Sequence, residues 1–136
     1  MSDSPAAQNQ PTDNLWVELV GQAIIARIRG IPTEELIHRC QERVVVLVRD
    51  TACTRILYDA LELEKPDAEA ALAQQSLTAL MPPSTRIAIL VGNTKVAYHA
   101  RLAFGDATHR VFYNDLAGAL AWLNEPETRG SVTRFK

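Results

Sequence analysis

The hydrophobic pattern begins at Leu15. Before it, residues 1–14 are polar and contain two prolines, too little apolar surface to offset the entropy of ordering them, which predicts a disordered arm. From Leu15 to Gly30 the apolar residues alternate, with Ile24, Ala26 and Ile28 set against Ile25, Arg27 and Arg29, a period of two that suits strands. Gly21-Gln22 supplies a two-residue hairpin turn between them. At Pro32-Thr33-Glu34-Glu35 the period changes. Thr33 is placed to cap free N–H groups, two carboxylates follow at the positive end of the helix dipole, and Leu36, Ile37, Cys40, Val44, Leu47 and Val48 recur on one helical face. This predicts a helix to about Arg49 that runs through the β-branched Val44-Val45-Val46. The rival reading makes Val44–Val48 a strand, which would have to join Ile56–Leu61 across a turn too short for a parallel connection.

Arg55–Leu61 reads as a short buried strand, and Pro66-Asp67 opens an alanine-rich helix that ends at Pro82-Pro83. Arg86–Val91 is the clearest strand. Gly92-Asn93-Thr94 turns into a helix through about Phe104, His109–Tyr113 is another strand, and Asn114-Asp115 caps a last helix holding Leu116, Leu120, Trp122 and Leu123. The predicted order is β-β-α-β-α-β-α-β-α: an α/β domain over residues 15–125 with a mainly parallel, mixed five-stranded sheet, an antiparallel opening hairpin and four helices. The basic residues 126–136 read as a loose C-terminal tail.

At 136 residues the chain has the length of one domain. A net charge of −2 gives no broad positive field, so no nucleic-acid partner is expected. No stretch is long and apolar enough to span a membrane, and the N-terminal residues do not have the pattern of a secretory signal, so a cytoplasmic location is expected. Cys40 and Cys53 make neither a disulfide framework nor a zinc motif and read as reduced, buried thiols.

The stretches AIIARIRG followed by TEEL, the strand ILYDAL ending near Asp59, the strand RIAILVGN and above all HRVFYNDLAGALAWL are similar to those of the SpoIIAA-like group of bacterial STAS proteins, whose fold has this element order. The resemblance covers roughly residues 15–125 and implies an anti-sigma-factor-antagonist-like fold; it carries little function, because many members of the group have no established activity. In the signalling members of the wider family, an Asp followed by a phosphorylatable Ser pair stands at the start of the helix after the central strand. Asp67 falls at the matching acidic position here, but Ala68 and Glu69 follow it, so the hydroxyl a kinase would modify is absent. Glu69 could supply a fixed negative charge in its place; the simpler reading is that Asp67 and Glu69 favour a helix N-terminus.

Catalytic chemistry has little support. His38, His99 and His109 fall on three different elements without metal-ligand spacing, and no nucleophile elbow or phosphate loop occurs. No metal and no cofactor is expected, and an enzyme centred on Asp59 ranks last among the readings. A parallel sheet gathers its ligand-facing loops at the carboxyl ends of the strands. That end would hold Asp59, Asp67, Asn93, Thr94 and Asn114, with Glu69, Tyr98 and Arg101 on the neighbouring helices. An exposed Tyr beside an Arg is the composition that protein interfaces favour. The first expectation is therefore a non-catalytic interaction or regulatory module that binds a protein partner or itself, as a homodimer. The alternative is a carrier of a small apolar ligand or lipid, with a cavity under the same loops.

Overall fold

The computed structural model describes residues 14–64, 81–104 and 108–126. Its elements follow the expected order: β1 (Leu15–Val20), β2 (Ala23–Ile28), α1 (Glu34–Thr51), β3 (Arg55–Ala60), β4 (Arg86–Val91), α2 (Thr94–Phe104), β5 (His109–Tyr113) and α3 (Leu116–Leu123). The described residues thus form three helices rather than four. The helix expected from Pro66 lies outside them, as do the N-terminal arm apart from Asn14 and most of the tail.

The five strands are arranged in chain order, β1-β2-β3-β4-β5. β1 and β2 are antiparallel, and each later pair is parallel. Gly21, at φ +63°, stands first in the two-residue turn between β1 and β2, a left-handed conformation that glycine adopts without strain. A parallel sheet laid down in sequence sends its like-handed crossovers over one face. Accordingly α1 and α2 pack on the same side, against Ile24, Ala26, Ile28, Ile56, Tyr58, Ile87, Ile89 and Val91. Helix α3 follows β5, the last of the described strands, and is free of that constraint. It covers the other face, where Ala119 and Leu123 pack on Ala23, Leu57, Ala88 and Leu90.

Helix α1 shows how the two periods compete. Thr33 Oγ1 accepts from Leu36 N at 3.1 Å, and the helix ends at Ala52, which takes a left-handed conformation and donates its N–H to Val48 O at 2.8 Å. Leu36, Ile37, Cys40, Gln41, Val44 and Val48 are buried along one stripe, so burial at helical spacing outweighs the β preference of Val44-Val45-Val46, and the helix runs two residues beyond Arg49. Beneath it, Gln41 and Tyr58 are both buried, and the Tyr58 hydroxyl donates to Gln41 Oε1. On the outer face, Arg86 Nη1 donates to Trp122 O at 2.8 Å and Glu125 O at 3.1 Å, and its guanidinium lies 5.2 Å from the Trp122 ring centre. One arginine therefore ties the end of α3 to β4. Phe112 and Trp122 are half-buried against the core on this face, with their rings 6.0 Å apart.

Candidate functional site

The parallel strands β2 to β5 end together, and the loops that follow are knit to one another. Gly30 N donates to Glu62 O at 3.1 Å and Glu64 N to Gly30 O at 2.9 Å, while Asn114 N donates to Val91 O at 2.9 Å. At Gly92 a side chain would come 3.4 Å from Leu61 O, so a small residue lets the loops after β3 and β4 lie close.

The sequence-derived candidates divide over the two faces of the sheet. Asp59 points to the outer face. Its Oδ2 lies 3.3 Å from Arg27 Nε on the neighbouring strand, and its Oδ1 accepts from Leu61 N at 3.2 Å. Cross-strand pairing of Arg27 with Asp59 fixes that ion pair, and the carboxylate holds the turn that follows β3. On the helix-covered side, Asn93 Oδ1 accepts from Val96 N at 2.9 Å and caps α2, which begins at Thr94. Asn114 has φ +51°, a conformation Asn tolerates better than most residues. Tyr98 is 65% exposed on α2, and Arg101, one turn on, reaches Tyr113 Oη at 3.5 Å. Leu102 and Tyr113 are also exposed, so Tyr98, Arg101, Leu102 and Tyr113 form an aromatic and cationic surface at the carboxyl end of β5. Asp67 and Glu69 lie outside the described residues.

Two sequence readings change. His99, considered above only as a candidate metal ligand, is buried on the inner face of α2 beside Val96, Ala100 and Ala103. Cys53 is half-buried rather than enclosed, with its thiol donating to Gln22 O at 3.3 Å, because it sits in the connection after α1 and not on the helix's inner stripe. Cys40 is buried, and burial pushes its thiol from 9.0 up to about 12, opposed by Arg43. A thiol so strongly held in its neutral form is a poor nucleophile. Burial also pushes the Tyr58 hydroxyl well above its ordinary value, reinforced by Cys40. Among the described residues, no three His, Cys, Asp or Glu side chains converge as a metal site would require, and no helix is long and apolar enough to cross a membrane.

Sequence reasoning missed a groove of about 670 Å³ at the other edge of the sheet, lined by Val17 of β1 and by Glu42, Arg43, Val45, Val46, Leu47 and Arg49 of α1. Its signal was present in the three consecutive valines of α1, of which only Val44 is fully buried.

No family model matches the sequence, and no curated protein matches it. Comparison of the fold is more informative. The anti-sigma factor antagonist SpoIIAA in its unphosphorylated form matches with a TM-score of 0.60 at 12% identity, over 79% of this chain and 96% of its own. An anti-sigma factor antagonist from Mycobacterium paratuberculosis matches with a TM-score of 0.63 at 13% identity, over 82% of this chain and 94% of its own. An uncharacterized protein of the DUF3478 family with a SpoIIAA-like fold, from Shewanella loihica, matches with a TM-score of 0.52 at 20% identity, over 80% and 91% respectively. With the antiparallel edge strand, the sequential parallel strands and the two helices on one face, these matches show that the chain has the SpoIIAA-like, or STAS, fold.

Proposed function

We propose that the chain is a non-catalytic regulatory module that binds a protein partner through the surface made by α2 and the carboxyl end of β5. The observation that carries this reading is the exposed group of Tyr98, Arg101, Leu102 and Tyr113, with Asn93, Thr94 and Asn114 at its rim. Tyr and Arg contribute strongly to protein interfaces because Tyr combines a large, stiff apolar ring with a polar end, and Arg offers a planar guanidinium that stacks and donates several hydrogen bonds. The likeness to anti-sigma factor antagonists supports a regulatory role, and the location proposed for it is the cytoplasm. With Ala68 and Glu69 following Asp67, the module works without a phosphorylatable Ser at that point, and Glu69 carries a constant charge there.

The carrier alternative has less support, since Ala60, Leu63, Val91 and Val96 beneath the loops are packed into the core. The test is quantitative capture of proteins from a lysate of the source cells on the immobilised chain and on its Tyr98→Ala/Arg101→Ala variant. Loss of about tenfold or more of one captured protein, with an unchanged circular dichroism spectrum, is expected. Equal capture by a folded variant refutes the surface.

A further inference from the structure

Strand β1 is an edge strand whose far side pairs with no described strand. Its sequence, LWVELV, has none of the usual protections of an edge: no proline, no lysine, and one charge, Glu18. Leu19 and Val20 are 41% and 47% exposed, and Val46 of α1, which lines the groove with Val17, is 43% exposed. The backbone groups facing outward can be identified. Arg29 N donates to Asn14 O, so Asn14 turns toward β2, and by strand alternation Trp16, Glu18 and Val20 do the same. Leu15, Val17 and Leu19 therefore present their N–H and C=O groups to the open edge.

We infer that a second copy of this chain occupies that edge, with β1 pairing antiparallel to β1 about a two-fold axis at Val17. In this register Val17 faces Val17 of the other copy, Leu15 faces Leu19, and the outward backbone groups of all three are satisfied. Moving the axis by one residue would set Glu18 against Glu18, a like-charge pair that opposes the alternative.

Helix α1 supplies an independent reason for the same axis. Its groove-lining stretch beside Val17 runs from Glu42 to Arg49, with Val45 and Val46 at its middle. An axis through Val17 makes the two α1 helices antiparallel, bringing Glu42 of each copy to Arg49 of the other and Val46 to Val45, with the two Val46 side chains beside the axis. Self-complementarity of this kind is what a two-fold interface requires. Helix α1 lies over β1 and β2. With strands about 4.8 Å apart, its two copies would lie about 10 Å apart, an ordinary helix-packing distance. The weak contact of Glu42 with His38, at 3.8 Å on the surface, is easily exchanged for an arginine. This edge is opposite the Tyr98–Arg101 surface, and the dimer stands whether or not that surface binds a partner.

The test is sedimentation velocity of the full chain at up to about 100 µM. The expected species has twice the 15.0 kDa chain mass. Val46→Glu puts two carboxylates beside the axis and should give a folded monomer, checked by circular dichroism. Glu42→Lys should raise the dissociation constant about tenfold or more, and adding Arg49→Glu should restore it, because the exchanged charges again meet their opposites. A monomer throughout the concentration range overturns the inference. So does a dimer indifferent to Val46→Glu and to charge reversal, or a monomer whose groove takes up an extended peptide or a lipid vesicle instead.

Discussion

Replacing Arg86 by Met tests how α3 is held on the outer face. The substitution keeps much of the apolar stem but removes the guanidinium that donates to Trp122 O and Glu125 O and lies against the Trp122 ring. A charge-assisted hydrogen bond contributes about 1.5–3 kcal/mol, and a partly exposed cation–π contact about 0.5–1 kcal/mol. The two hydrogen bonds share one nitrogen, and water can reach Glu125, so the sum is discounted to about 2–3 kcal/mol. For a chain of this length that is a fall in Tm of about 10 °C. Helix α3 has eight residues, too few to persist alone, so its amides should exchange faster even where β3 and β4 remain protected. Urea unfolding followed by tryptophan fluorescence gives the global value, and hydrogen exchange gives the local one. Arg86→Lys should lose about half as much, since an ammonium retains a donor but not the planar face. A change below about 0.5 kcal/mol for Arg86→Met would show that apolar packing alone holds α3.

Two further outcomes follow from the buried polar residues. Tyr58→Phe takes from Gln41 Oε1 the hydroxyl that donates to it in the core, and should lower stability by about 1–3 kcal/mol in urea unfolding; an unchanged midpoint would contradict the buried hydrogen bond. In alkali, the Cys40 thiol is held protonated up to about 12 in the folded chain but ionises from 9.0 when unfolded, so the unfolded chain binds fewer protons and stability falls between those values. The slope approaches about 1.4 kcal/mol per pH unit, with Tyr58 adding to it above pH 10 and Cys40→Ala removing its own share. A flat profile over that range would refute the burial of both groups.

The fold was legible because its local signals agree: Thr33 and Asp115 cap helices, Gly21 turns the hairpin, and Arg86–Val91 has the continuous apolar run of a central strand. Even the ambiguous Val44-Val45-Val46 was decided by chain length, since a strand there would have left no room for a parallel crossover. The site was less legible. Periodicity exposed Tyr98 and Arg101 but did not reveal that Arg101 reaches Tyr113, a contact made across elements. Asp59 was visible as a strand-end carboxylate, whereas its partner Arg27 comes from register. Arg86 looked like an ordinary strand flank, because its role depends on where the C-terminus of α3 comes to rest.

The chain-ordered sheet also bears on how the protein is made. Each strand pairs with the one synthesised just before it, so no gap must be kept open for a later arrival and each loop closure spans a single crossover. The sheet can grow strand by strand as the chain emerges from the ribosome. Its two faces mature at different times: α1 can shield one as soon as β2 and β3 meet, whereas Leu57, Ala88 and Leu90 on the other wait for α3, the last of the described helices in chain order. A chain stopped before Leu116 would bare that apolar face, which makes the short closing helix the point at which a nascent, aggregation-prone sheet becomes a finished domain.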